Sequence, residues 1–326
     1  MKLATLRDNS PDGLLCLVSR DLSHAAPAAG IASSLQSAIE RWSEIEGTLR
    51  TLADAVEAGT APGLTPLDMS RLAAPLPRAW QWLDGSAYPS HGDLMQKAFN
   101  LPPIETKATL MYQGLSDRFL GPRDDVALPS EADGIDIEGE FGVILDHVPM
   151  GCGADRALDH VRLIIQINDW SLRAIAPVEM KTGFGWVQAK PACSMAPIAL
   201  TPDELGESWS NGRVDLEMRS WINDSWFGAV PGAEGMAHGF DELIAHAART
   251  RSLVSGTVLG SGTVSSTRHA EVGSSCISER RAIETIETGS AITPFLRFGD
   301  TVRLEAGKPR GPALFGTIDQ RVVAAG

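Results

Sequence analysis

Long apolar runs are missing from this 326-residue chain. No stretch approaches the roughly 18–20 residues needed to cross a bilayer, so no membrane-embedded protein is expected. Cysteine is scarce as well: Cys16, Cys152, Cys193 and Cys276 are scattered, and no two stand in C-x-x-C spacing. That excludes a disulfide framework and favours a reduced, cytoplasmic protein. Positive charge is short, with 28 Lys and Arg against 41 Asp and Glu and a net charge of −13. Such a surface repels phosphate backbones, so no nucleic-acid partner is expected. The start, MKLATLRDNSPDG, is interrupted by Arg7 and Asp8 before any apolar stretch forms, unlike a secretory leader. A 43% hydrophobic and 21% charged composition is that of a folded chain, not a disordered one. Its length suits one large domain or two unequal ones.

Residues 1–75 read as a small unit. Residues 14–19 form a short apolar run after a turn at Pro11, Asp12 and Gly13, which predicts a strand. Ser33 and Gln36 stand in capping-box spacing. Leu35, Ile39, Trp42, Leu49, Leu52 and Val56 then recur at helical intervals until Gly59, which predicts one amphipathic helix. The segment TAPGLTPLDMSRLAAPLPRAW, rich in Pro and Gly, joins this unit to residues 76–326. Strand signals dominate from there. Residues 135–145, 162–169, 213–222 and 301–305 read as strands, Asn223-Asp224 as a hairpin turn, and residues 240–251 as a helix. The class is α+β and rich in β-structure.

The sharpest local signal is IDIEGEFGVIL at residues 135–145. Strand side chains alternate faces, so Glu138 and Glu140 point the same way. Two like charges there repel, and each raises the other's pKa unless a cation intervenes. The plainer alternative is a solvated strand face. Gly139 between them permits close backbone approach. Asp169 closes the run LIIQIND and suits either a ligand or the N-cap of a short helix over residues 171–175. Asp84 lies in DGSAYPSH, where a turn aspartate is the alternative, and His91 ends that segment.

Taken in order, these residues resemble the fumarylacetoacetate hydrolase family. The ordered set is Asp84 with His91, Tyr112 in YQG, Glu138 and Glu140, the NDWSLR segment from Asn168 to Arg173, Lys190 with Pro197 beyond, Gly262-Thr263, and FGDTV from Phe298. It spans about residue 80 to the C-terminus. The resemblance implies a rolled mixed β-sheet catalytic domain behind a small N-terminal α+β domain. It also implies a homodimer formed through the C-terminal domain. Asp84, Glu138, Glu140 and Asp169 would surround a divalent cation. All-oxygen ligands suit a hard ion, so Mg²⁺ is the expected cofactor, with Ca²⁺ or Mn²⁺ as substitutes and Zn²⁺ disfavoured; no Cys or His adjoins these acids in the sequence. The ion would also supply the positive field that an acidic protein needs to bind an organic acid.

By the same resemblance His91 is the water-activating histidine, and Lys190 is a cation that stabilises developing negative charge. The apolar WVQAKPAC around Lys190 favours burial over a surface role. Tyr112, Gly262 and Thr263 match substrate contacts, although Tyr and Thr also pack in sheets for structural reasons. Arg173 matches a structural partner near the metal.

The chain departs from the eukaryotic fumarylacetoacetases at three points. Asn100 stands where they carry an arginine for the substrate carboxylate, and Ala176 where they carry a glutamine. Their histidine-pairing glutamate falls at Ile277, so Glu279 or Glu271 takes that place only with a local shift; Glu279 is the choice here. The expected activity is metal-dependent hydrolysis of a C–C bond in a β-diketo acid of fumarylacetoacetate or acylpyruvate type, in aromatic amino-acid breakdown. A decarboxylase, tautomerase or hydratase of an oxaloacetate-like 2-oxo acid on the same metal site is the second reading. A non-catalytic metal- or metabolite-binding protein is the third.

Overall fold

The computed structural model describes residues 1–99, 106 and 108–326. Asn100, where an arginine match is missing, lies outside the described residues. The chain builds one long mixed sheet and a second, five-stranded antiparallel-rich sheet packed over it. The long sheet runs in the order Thr65–Pro66, His24–Pro27, Leu14–Val18, Lys2–Leu6, Ala199–Leu200, Val161–Asn168, Gly139–Leu145, Thr257–Gly260, Gln81–Gly85, Met111–Gln113. The N-terminal strands therefore continue the sheet of the larger unit, through Lys2 opposite Leu200 and Leu3 opposite Ala199. The Pro- and Gly-rich joining segment is packed rather than free. Leu72, Ala74 and Leu76 are buried, and the amide of Ala73 donates to the carbonyl of Thr5 at 2.9 Å.

The predicted single N-terminal helix is two. Arg41 leaves helical geometry at φ −121°, which separates Leu35–Glu40 from Trp42–Glu57. Ser34, not Ser33, is the N-cap: its hydroxyl accepts from the amide of Ser37 at 3.2 Å. The Gln36 side chain is drawn instead to Glu40 and the carbonyl of Ser255, so the capping box does not form. The apolar face falls as the periodicity predicts, with Leu35, Ile39, Trp42 and Leu49 buried against Leu15 and Leu17.

The predicted strand over 135–145 breaks into Ile135–Asp136 and Gly139–Leu145. The second piece is buried on both faces. Phe141 and Val143 face the cluster shared with Met218, Leu304 and Ile318 of the second sheet, and Ile144 faces Leu3 and Ile165. A strand covered on both sides carries a nearly continuous apolar run, which is what the sequence shows. The second sheet runs Ser225–Pro231, Glu217–Ile222, Thr301–Gly307, Thr317–Ala324, Val126–Leu128. The Asn223-Asp224 hairpin forms with both residues at positive φ (49° and 59°) and Ile222 opposite Ser225, the geometry of a two-residue turn.

Two helix expectations change. Residues 240–251 shorten to the helix Phe240–Ala247. The segment after Asp169 is not a helix: Ser171–Leu172 pairs with Ile135–Asp136, and helix Ala176–Thr182 follows. Among the described residues no helix is long and apolar enough to cross a membrane.

Candidate metal and catalytic site

The sheet order brings distant acids to one end. Ile167 lies opposite Glu140, which puts Asp169 just past the end of the neighbouring strand. On the other side Gly260 lies opposite Gly142 and also beside Asp84, so Asp84 arrives at the same end from a parallel strand. Single oxygens of Asp84, Glu140 and Asp169 all lie within 4.8 Å of one another, and all three residues are buried. Burial raises the pKa of each. Asp84 is pushed further up by Asp169, and Glu140 by Asp84 and Asp169, while Lys190 opposes the rise at all three.

The donor set fits a hard divalent cation. Both carboxylate oxygens of Glu140 are buried without a hydrogen-bond partner, in a protein where such groups normally find one. A cation among the three acids is the partner that these oxygens lack, and three carboxylates suit an oxygen-seeking ion.

Glu138 sits at the edge of this group. One of its oxygens accepts from Arg173 Nη2, and the other from Lys190 Nζ at 2.8 Å. Burial works against its charge, but Arg173 and then Lys190 outweigh it and hold the carboxyl well below the usual range. Lys190 is itself buried. Its ammonium reaches Asp169 Oδ2 at 2.5 Å and lies 5.4 Å and 5.5 Å from the ring centres of Tyr112 and Trp186. Burial lowers its pKa, yet Asp169 and Glu138 more than compensate, so it stays charged. The Tyr112 hydroxyl donates to Asp169 Oδ2 at 2.7 Å, and its ring meets Trp186 edge-on at 4.8 Å.

The Gly262 amide donates to Asp84 Oδ1 at 3.0 Å. At φ +78°, with the Gly85 carbonyl where a Cβ would stand, residue 262 admits only glycine. Thr263 follows it, buried, on the same segment. Gly139 also permits a close approach, since a Cβ there would meet the Met218 side chain at 2.8 Å.

His91 rides on helix Pro89–Phe99, and its Nδ1 lies 4.0 Å from Glu279 Oε1. Glu279 stands in the first turn of helix Ile277–Thr288. Burial lowers the His91 pKa to about 4 and raises that of Glu279 to about 7. Glu271, the other pairing candidate, is exposed and bonds Arg268. Ala176 opens the helix Ala176–Thr182 and offers no polar group.

Three side chains here were not singled out by sequence reasoning. Asp136 is fully buried, accepts the amides of Ile277 and Ser278 at 2.7 and 2.9 Å, and pairs with Arg173 Nε at 2.8 Å. It thereby anchors the helix carrying Glu279. Its alternation with Glu138 and Glu140 in IDIEGE was a readable signal. No cysteine adjoins the acids in sequence, but the fold brings Cys193 to them: its thiol donates to Asp169 Oδ1 at 2.8 Å. Burial, and then Asp169, push that thiol well up, so it remains a protonated donor. Trp186, over Tyr112 and Lys190, carried no readable signal.

A family model described as fumarylacetoacetate hydrolase C-terminal matches residues 81–323, and one described as fumarylacetoacetase N-terminal domain 2 matches residues 1–78. The chain belongs to the fumarylacetoacetate hydrolase family. A curated relative, 2,4-didehydro-3-deoxy-L-rhamnonate hydrolase from Sphingomonas sp. (strain SKA58), is 27% identical over 164 residues, 49% of this chain and 54% of the relative. The match thus spans about half the length of that relative. Maleylpyruvate hydrolase from Sphingobium sp. SYK-6, solved with manganese(II) and pyruvate, superposes with a TM-score of 0.68 at 17% identity over 100% of both chains. A probable 2-hydroxyhepta-2,4-diene-1,7-dioate isomerase from Mycobacterium abscessus gives 0.68 at 19% identity, also over 100% of both. These likenesses establish the shared fold. As a family of hydrolases and isomerases, the fumarylacetoacetate hydrolases act on small molecules, and the acidic triad here can hold a divalent cation.

Proposed function

We propose that this protein is a metal-dependent hydrolase that cleaves a C–C bond in a β-diketo acid of fumarylacetoacetate or acylpyruvate type. Asp84, Glu140 and Asp169 would hold the cation, with Glu138 completing the acidic group. Mg²⁺ is the proposed ion because the donors are all oxygen; the manganese-bound relative makes Mn²⁺ a natural substitute. When bound, the cation supplies Lewis-acid polarisation of a chelated oxo-acid.

The chain's own residues do the rest. Lys190 sits where it can offset negative charge that develops on a substrate oxygen. Tyr112 and the Gly262-Thr263 segment would orient the acid group. His91 would take a proton from water as it adds to the carbonyl carbon, with Glu279 steadying the imidazolium. The C–C bond then breaks, and the proton returns to the departing carbon, so that two acids leave for one water consumed. The observation that carries this reading is the approach of half-buried His91 to buried Glu279 at 4.0 Å, since decarboxylation or tautomerisation needs no water-activating pair. In the proposed division, residues 76–326 carry all of this chemistry. A homodimer in the cytoplasm, acting in aromatic breakdown, completes the proposal.

The isomerase relative favours a second reading, rearrangement of a 2-oxo acid on the same metal site. Product analysis with acylpyruvates at fixed Mg²⁺ separates the two. Hydrolysis releases two acids in equal amounts; a single isomeric product, or carbon dioxide, sinks the hydrolase reading.

A further inference from the structure

Glu279 does not face His91 alone. Its Oε1, the oxygen 4.0 Å from His91 Nδ1, accepts a hydrogen bond from the Ser265 hydroxyl. Ser265 Oγ in turn accepts from Ser90 Oγ at 2.7 Å. Ser90 immediately precedes His91 on helix Pro89–Phe99, Ser265 lies two residues beyond Thr263, and Glu279 belongs to helix Ile277–Thr288. Two hydroxyls thus tie together three separate segments, each of which bears a residue assigned to the chemistry. Ser265 is fully buried, and Glu279 nearly so.

The direction of this chain matters. Ser265 has one hydrogen, and it goes to Glu279 while Ser90 supplies the hydrogen that Ser265 accepts. A hydroxyl that accepts one hydrogen bond is polarised to donate a stronger one. Glu279 Oε1 is thereby fixed in orientation, while its Oε2 and the His91 Nδ1 stay buried without partners. A small approach of His91 closes the pair, with the hydrogen on Nδ1 and Nε2 left free as a base.

We propose that Ser265, aligned by Ser90, is a positioning residue for the His91–Glu279 pair: it presents Glu279 as the acceptor for His91 Nδ1 and so sets the imidazole tautomer. The inference rests on reading that pair as the proton-transfer machinery. Other charged groups around Glu279 do not do this work. Asp136, which caps the helix, raises the Glu279 pKa, and Arg280 on the same helix lowers it. His91 faces it from its own helix, and the thiol of Cys276, just before Ile277, is pushed well up chiefly by burial. Ser274 is the other hydroxyl that favours the carboxylate.

The test is ¹⁵N NMR of the His91 imidazole in the resting protein, paired with the pH profile of kcat/KM, for wild type and the Ser265→Ala, Ser265→Thr and Ser90→Ala variants. Loss of the donor destabilises the carboxylate, so Ser265→Ala is expected to erase the Nδ1–H tautomer preference. It is also expected to move the acid limb upward by about one pH unit. Ser265→Thr restores both, and Ser90→Ala moves both the same way by less. Unchanged imidazole signals and an unchanged limb in Ser265→Ala overturn the assignment, even if kcat falls. Should wild type hydrolyse no diketo acid, the proposed function fails, whereas the NMR comparison still decides the role of Ser265. If Ser265→Ala does not fold, Ser90→Ala decides by the same imidazole readout.

Discussion

Cys193 donates its thiol hydrogen to Asp169 Oδ1 across 2.8 Å, while Lys190 and Tyr112 both hold Oδ2. The thiol is thus one of three donors that fix the angle of this carboxylate. Such supporting contacts commonly contribute about 10- to 100-fold in metal affinity. Cys193→Ala is expected to weaken Mn²⁺ binding by about that factor, and Cys193→Ser, which keeps a donor, by much less. Isothermal titration of the three proteins checks it; equal affinities would reduce Cys193 to packing.

Three buried acids gathered without a cation strain the metal-free protein. Glu140 is raised by burial and by its acidic neighbours, so its contribution to stability is present below the ordinary carboxylate range and lost as pH rises above it. Glu140→Gln removes that cost. The variant without metal is expected to melt higher than wild type at pH 8, with the gap closing toward pH 4. Thermal denaturation in chelator measures this, and a lower melting temperature for the variant at both pH values would be the contrary result.

Glu279 carries a similar sign with a defined window. Its folded pKa of about 7 lies above the ordinary 4.5, so its stabilising contribution is full below about 4.5 and is lost as pH rises through about 7. The difference corresponds to about 3 kcal/mol as an order of magnitude. His91 trends the other way: held near 4 by burial, it favours folding above its ordinary 6.5, and that contribution is lost as pH falls through about 4. His91 lies 4.0 Å from Glu279 and titrates with it, so Glu279→Gln is compared with its parent in a shared His91→Asn background. The variant should match that parent near pH 5 and exceed it near pH 8 in urea unfolding. A gap independent of pH contradicts the assignment.

Asp136 joins two parts of the site. It caps the helix of Glu279 and balances Arg173, whose other partner is Glu138. Asp136→Ala leaves a largely buried guanidinium short of one partner and two helix amides bare. Breaking a buried pair in this way costs about 3–5 kcal/mol. Denaturant titration should show a loss of that order, and a loss under about 1 kcal/mol would mean that water takes over the role.

The sequence carried some of this plainly and some not at all. The doubly buried strand Gly139–Leu145 is readable because an unbroken apolar run has few other destinations, and Asn223-Asp224 because few residues tolerate positive φ. The Ser33–Gln36 capping box fails because Gln36 reaches Ser255, a contact 219 residues away in sequence, and no local signal marks the break at Arg41. The strand Ser171–Leu172 forms because Ile135–Asp136 offers an edge to pair with, which no local propensity reports. Asp84, Glu140 and Asp169 were visible as residues, and their convergence follows from strand order. Cys193, Ser90 and Ser265 act only through neighbours brought in by the fold. Asp136 differs, since its place in the IDIEGE alternation was open to view.

Whether Asp84, Glu140 and Asp169 together hold a cation is decided by a Mn²⁺ titration of chelator-treated protein followed by electron paramagnetic resonance, in wild type, Asp84→Asn, Glu140→Gln and Asp169→Asn. Wild type is expected to show one tight site per chain and a spectrum perturbed by pyruvate, and each variant to lose that site. Wild type that binds no Mn²⁺, or variants that bind it as well as wild type does, would contradict a site shared by these three acids.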